Sequence, residues 1–176
     1  MKEIRFHGMR VPGKPAPFIE TARLLALAAL KEGKYVQLRP PWGFQRGYVP
    51  ETAVLRVDHA PIEDSSQEYR IDLAVIEDPT LIEKGDYTSS LKDGATILIN
   101  SERAPALSWT GEVRVADLTS IANGAGVDLS IPLAGATGRA IEVIGLASLE
   151  QVVRKTFTGE RRKRSLAALR QGFEAV

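Results

Sequence analysis

Two stretches, Ile71-Asp72-Leu73-Ala74-Val75-Ile76 and Thr96-Ile97-Leu98-Ile99-Asn100, constrain the fold of this chain more than any others. Each is nearly continuous in apolar residues, the pattern of a strand buried on both faces. The first stops at Glu77-Asp78-Pro79. The second follows the turn signal Asp93-Gly94, and Leu81 to Leu91 between them suits a short helical or irregular crossover. Strand, crossover and strand in this order form a parallel pair. At 176 residues the chain is about one domain long. The expectation is therefore a single α/β domain over residues 1–176, layered, with a mostly parallel central sheet flanked by helices.

The opening of the chain fits that frame. Ile4 to His7 reads as a strand, Gly8 to Pro17 as a loop, and Phe18 to Leu30 as an apolar helix rich in Leu and Ala. Pro17 suits the first helical turn, where a missing N–H costs nothing, and Gly33 suits the C-cap. Further strands are expected at Tyr35 to Leu38, Glu51 to Val57 and Trp109 to Val115. Asp117 is placed to cap a short helix through Ala122. Leu133 to Ile144 reads as a helix of small residues suited to close packing and ended by Gly145. Ser148 and Gln151 have the form of a capping box opening a helix to about Phe157. A basic last helix covers about 160–172. Between Arg39 and Pro50, three prolines, two glycines and the rings of Trp42, Phe44 and Tyr48 exclude regular structure and call for packing against this domain or a partner.

Composition removes several classes of function. The formal net charge is +1, so nothing draws the chain as a whole to nucleic acid or an anionic membrane. With no cysteine there is no disulfide, thiolate zinc site, cysteine nucleophile or cysteine-ligated iron–sulfur cluster within it. The longest apolar run, Leu24 to Leu30, falls far short of the ~20 residues that span a bilayer. Strand-like residues follow Met1 at once in place of a basic-then-apolar leader, so the expected compartment is the cytoplasm.

Few residues qualify for chemistry. An open α/β sheet binds ligands beyond the carboxyl ends of its strands, which directs attention to the loop after the first strand. Only Gly8 and Gly13 remain there for close backbone approach, and Pro12, Pro15 and Pro17 delete three donors. The loop is a poor dinucleotide fingerprint. It reads as a phosphate cradle, as a proline-stiffened connection, or as a loop whose Arg10 and Lys14 face an anion or a neighbouring subunit. His7 ends the first strand and His59 precedes Pro61, neither at metal spacing, so no metal site is expected. Asp78-Pro79 is either a site residue or a cap after a strand. Gly-x-Ser-x-Gly is absent, so no nucleophile elbow is expected. The basic cluster Arg154-Lys155 with Arg161 to Arg164 reads as solvated helix faces or as a match for an acidic partner.

Together these segments resemble the γ subunit, or γ domain, of the thiamine-diphosphate-dependent 2-oxoacid:acceptor oxidoreductases, the pyruvate:ferredoxin oxidoreductase-like family. The resemblance rests on Ile4-Arg5-Phe6-His7-Gly8 with its helix, Gly43-Phe44-Gln45-Arg46-Gly47 with the strand to Val57, and Leu73-Ala74-Val75-Ile76 through Asp78-Pro79. It continues in Leu91-Lys92-Asp93-Gly94 through Ile99-Asn100-Ser101, Val115 to Ala122, Leu133-Ala134-Gly135-Ala136 and Gly145 to Glu150. It is atypical in the opening loop. The family's Gly-x-Gly-Gly-Gln-Gly is here Gly8, Met9, Arg10, Val11, Pro12 and Gly13, and the paired arginines of the second loop become Arg46-Gly47. The resemblance implies an accessory subunit with no catalytic residue and no metal of its own. The companion alpha, beta and ferredoxin-like delta subunits would carry thiamine diphosphate, Mg²⁺ and [4Fe–4S] clusters. The complex would oxidatively decarboxylate a 2-oxoacid, with coenzyme A as a possible co-substrate. Gly8, Met9, Arg10, Gly13, Lys14, Trp42, Gly43, Arg46 and Gly47 are the candidates to face the active site or a ligand. The rival expectation is a self-sufficient nucleotide- or small-molecule-binding α/β domain. No nucleic-acid partner is expected on either reading.

Overall fold

The two apolar stretches do lie side by side, parallel and in register from Leu73 opposite Thr96 to Ile76 opposite Ile99. In the computed structural model, which describes residues 1–41, 49–63 and 70–176, the elements follow in the order β1 (Lys2–Arg10), α1 (Pro17–Lys31), β2 (Tyr35–Arg39), β3 (Val49–Asp58), β4 (Ile71–Ile76), a 3-10 turn (Pro79–Lys84), β5 (Leu91–Asn100), β6 (Glu112–Ala116), α2 (Leu118–Ala125), α3 (Ser130–Ile141), α4 (Leu146–Thr156) and α5 (Gly159–Glu174). The six strands form one sheet ordered β2-β3-β1-β4-β5-β6. β1, β4, β5 and β6 pair in parallel, while β3 slots antiparallel between β1 and β2. The sheet is mostly parallel, as expected.

The helices share one face of the sheet. Ile4, Phe6, Leu55, Leu73, Val75 and Leu98 point into a common core with Phe18, Leu25, Leu133, Leu149 and Leu169. Small residues in α3 let α5 approach closely. A Cβ on Gly135 would lie 2.1 Å from the Leu169 carbonyl oxygen, and one on Gly172 2.1 Å from that of Pro132. On the opposite face a second cluster, with Ile76, Leu81, Ile97 and Ile99, is roofed by the crossover after β4 and by Leu107 and Trp109.

Several local expectations give way to packing. Gly8 to Arg10 continue β1 because β3 runs alongside and accepts the ladder through Arg10 opposite Val49. Trp109 lies before β6, its indole N–H donating to the Ala95 carbonyl at 3.2 Å. α3 starts at Ser130, where Pro132 is still in the first turn and the Asp128 carboxylate accepts from the Ser130 N–H. It ends at Glu142, in the left-handed region with φ 58°, ahead of Gly145. Gly145 instead opens α4, its N–H donating to Glu32 Oε1 at 2.8 Å. Ser148 lies inside that helix and bonds the Glu32 carboxylate, so the capping box does not form. Among the described residues no helix is long and apolar enough to cross a membrane.

Candidate functional site

Parallel pairing sets the carboxyl ends of β1, β4, β5 and β6 on one edge of the sheet, and α1 and α2 begin there. α1 leaves β1 toward β2, whereas the crossover after β4 leaves toward β5. The β1–β4 boundary is thus the point where the winding reverses, the usual place for a ligand crevice. An open cleft of about 780 Å³ lies along this edge, lined among others by Glu77, Asp78, Asn100, Glu102, Arg103 and Asp117. Four carboxylates against one guanidinium make it acidic.

Glu77 determines what the crevice can accept. It follows β4 on the helix side, its own N–H donating to the His7 carbonyl at 2.9 Å. Its carboxylate accepts from the Phe18 N–H at the start of α1, while Oε2 is buried with no hydrogen-bond partner. Burial pushes the carboxyl up to about 7. Asp128 and Asp78 act in the same direction and the Phe18 N–H opposes. The remaining donors of the first turn are used as well: Pro17 has none, and the Ile19 and Glu20 N–H groups both reach the Ala16 carbonyl. The helix terminus that would cradle a phosphate is filled by the protein's own carboxylate. A side chain on Gly8 would strike the Phe18 ring at 2.2 Å and lie 3.0 Å from Glu77 Oε2, so only glycine fits beneath this arrangement.

Asn100 joins the edge together. Its Nδ2 donates to the Glu77 carbonyl and Thr119 Oγ1, both at 2.9 Å, while its Oδ1 accepts from the N–H groups of Leu118 and Thr119. Asp78 caps the 3-10 turn by accepting from the Thr80 N–H, and Asp117 caps α2 through the Ser120 N–H, the structural alternative for both. Sequence reasoning passed over Glu77, which reads as the polar stop after a strand, because nothing local shows that it reaches α1. Asn100 gave a faint signal as a lone amide ending an apolar strand.

The residues expected to form the ligand-facing loop are dispersed. Gly8, Met9 and Arg10 belong to β1. Gly8 is buried under Phe18, Met9 packs on the second apolar cluster, and Arg10 pairs with Glu51 at 2.6 Å. Gly13, at φ +73°, and Lys14, whose N–H donates to the Val11 carbonyl, form an exposed turn at the cleft's edge of the sheet. Trp42, Gly43, Arg46 and Gly47 lie outside the described residues. So do Phe44 and Tyr48, although Arg39 and Val49 on either side of them sit at this same edge.

His7 points to the helix-free face, where its Nδ1 lies 2.9 Å from Thr52 Oγ1 and its ring meets Tyr87 edge-on at 4.6 Å. Burial, and secondarily the Arg5 guanidinium, push the imidazole down to about 4. It is a packed, neutral histidine. The basic cluster is largely engaged internally. Arg154 pairs with Glu150 and Lys163 with Glu160, Arg162 donates to the Phe157 carbonyl, and Arg161 lies over the Phe157 ring. Among the described residues no three His, Asp or Glu side chains gather to hold a metal ion.

The whole chain is similar to proteins of one known family. The profile of the family described as "Pyruvate ferredoxin/flavodoxin oxidoreductase" matches residues 18–175. The pyruvate/ketoisovalerate oxidoreductases common subunit gamma of Thermococcus litoralis is 34% identical, over 99% of this chain and 96% of that protein. The pyruvate synthase subunit PorC of Methanosarcina barkeri is 33% identical over 88% and 85%. Among solved structures, the pyruvate oxidoreductase subunit PORC of Thermotoga maritima superposes with a TM-score of 0.81 at 28% identity, covering 99% of this chain and 96% of that one.

Proposed function

The chain belongs to the pyruvate ferredoxin/flavodoxin oxidoreductase family as a gamma-type subunit of a multi-subunit 2-oxoacid oxidoreductase, and from that premise we propose that it is an accessory wall of the active site, with the carboxyl edge of its sheet turned toward the catalytic chains. The whole of 1–176 acts as one gamma unit. Alpha, beta and ferredoxin-like delta subunits supply the rest of the complex in the cytoplasm. They would hold thiamine diphosphate, Mg²⁺ and [4Fe–4S] clusters, which would supply the decarboxylation of the 2-oxoacid and the path for its electrons, with coenzyme A as a candidate co-substrate.

The residues present do not fit those groups. The chain has no thiolate for a cluster. The anion position at α1 is taken by Glu77, and no metal-binding cluster of side chains occurs among the described residues. This reading assigns the chemical steps to the companion subunits. The observation that carries the reading is the Glu77 carboxylate seated on the Phe18 N–H. Together with the acidic cleft it disfavours a phosphate ligand held by this chain alone, the central requirement of the self-sufficient nucleotide-binding rival. The enclosing contact falls to Gly13 and Lys14 in the exposed turn, to Met9 and Arg10 at the half-buried end of β1 beyond the buried Gly8, and to the tract holding Trp42, Gly43, Arg46 and Gly47, whose described flanks Arg39 and Val49 lie at the same edge.

The test is reconstitution. The other subunits assembled with the chain should reduce ferredoxin or a viologen dye in a 2-oxoacid-dependent way, and omission of the chain should abolish most of that rate. Turnover of a 2-oxoacid by the purified chain alone, or stoichiometric iron or thiamine diphosphate in it, overturns the reading.

A further inference from the structure

The run Leu24 to Leu30 is apolar around the whole circumference of α1. Leu24, Leu25, Ala26, Ala28 and Ala29 are buried, but Leu27 and Leu30 point away from the core, 37% and 53% exposed. A helical segment apolar all round is ordinarily enclosed all round, but this one leaves the side bearing Leu27 and Leu30 open. Beside the two leucines, α4 contributes Val152 and Thr156, and the helices frame an open, mostly apolar groove of about 360 Å³.

Its rim is cationic. Lys31 from the last turn of α1 and Lys155 from the last turn of α4 meet there. Desolvation, and then the neighbouring Lys155 charge, hold the Lys31 ammonium below its usual range. Other cations nearby have carboxylates of their own: Arg154 and Arg170 share Glu150, and Lys163 has Glu160. Lys31 and Lys155 instead stand against each other.

We propose that this groove is a second docking surface, occupied in the assembled enzyme by an acidic, apolar segment of a partner subunit. An aliphatic side chain of the partner seats between Leu27, Leu30 and Val152, and its neighbouring carboxylate lies between Lys31 and Lys155. That carboxylate turns one repulsion into two attractions, and the leucines supply the burial that α1 lacks. The inference rests on the chain being a subunit but concerns a different surface from the cleft. α1 has 15 residues, so its two ends lie about 20 Å apart at 1.5 Å per residue. The subunit is thereby gripped at both ends of one helix.

The experiment uses the assembled complex. Side-chain footprinting at Leu27 and Leu30 should fall several-fold between the isolated chain and the complex. Leu27→Asp/Leu30→Asp and Lys31→Glu/Lys155→Glu should each weaken assembly about tenfold or more in sedimentation, with the circular dichroism of the isolated chain unchanged. Unaltered footprinting on assembly, or unaltered affinity in both variants, overturns the proposal. An isolated chain that sediments as a dimer dissociated by Leu27→Asp/Leu30→Asp also overturns it and gives the groove to a second copy. A wild-type chain that joins no complex defeats the subunit reading itself. One that joins with its groove still exposed defeats only this inference.

Discussion

On the helix side of β1 and β3, Ile4, Phe6, Ala53, Leu55 and Val57 are buried among aliphatic neighbours. On the other side of the same two strands, Glu3 accepts from the Nε atoms of Arg5 and Arg56, both at 2.8 Å, and Arg56 reaches the Gln37 side chain. Glu3 and Arg56 are each only 1% exposed. Strand alternation ordinarily separates a dry face from a wet one, but here the half-exposed charged face also keeps Glu3 and Arg56 out of water, and the two faces differ in what holds them. The apolar face depends on filled volume and tolerates no vacancy. The charged face depends on matched partners, so it can be damaged by removing one of them and repaired by removing both.

The largest effect expected from breaking this contrast is on the apolar side. Phe6→Ala should cost about 4 kcal/mol in urea unfolding, because a buried ring leaves a cavity that the sheet cannot close. On the charged side Glu3→Leu alone should cost about 3 kcal/mol by removing the carboxylate that the buried Arg56 guanidinium pairs with. Glu3→Leu with Arg56→Met should return to within about 1 kcal/mol of the parent. Failure of the double substitution to recover would mean that the charged face is held by shape, like its opposite.

A smaller effect sharpens the comparison through pH. Glu77 on the helix side has its carboxyl raised to about 7, so between its unfolded value near 4.5 and pH 7 the native state binds more protons than the unfolded chain. Glu77 therefore makes stability fall as pH rises through that window. His7 on the other side, lowered to about 4 from 6.5, makes the native state bind fewer protons, and stability rises with pH from about 4 to 6.5. Each amounts to about 3 kcal/mol over its full window, and between pH 4.5 and 6.5 they oppose, so that little net change remains. The parent should show a flat profile there. Glu77→Gln should leave a rise with pH and His7→Phe a fall, measured as melting temperature or denaturant midpoint. Parallel profiles in all three proteins would remove the opposition.

Much of the apolar face was legible in the sequence. Ile71–Ile76, Thr96–Asn100 and the Leu/Ala helix announce themselves through uninterrupted burial, because filling volume is a property of each residue alone. The charged face was not. Nothing local to Glu3, Arg5 or Arg56 marks them as partners, and only the β1–β3 register brings Glu3 and Arg56 together across 53 residues. The same holds for the candidate site. The edge where it lies follows from parallel strands, but Glu77 reaching the start of α1 is a tertiary contact with no local signature. Gly8 to Arg10 looked like a loop because their glycine and arginine gave no sign of β3 waiting beside them. Asp117 as a cap was legible because its partner is three residues away.

The bonds made by Asn100 have a consequence for how the molecule can vary. By gripping the first N–H groups of α2, this amide closes the excursion between β5 and α2 at its base, aided by the Ser101 N–H on the Ala116 carbonyl. Extra residues spliced into 102–108 would lengthen a loop whose mouth is already fastened, and doubling such a loop costs only about 0.6 kcal/mol. This rim can be rebuilt to match a different neighbour while the frame beneath it keeps its shape.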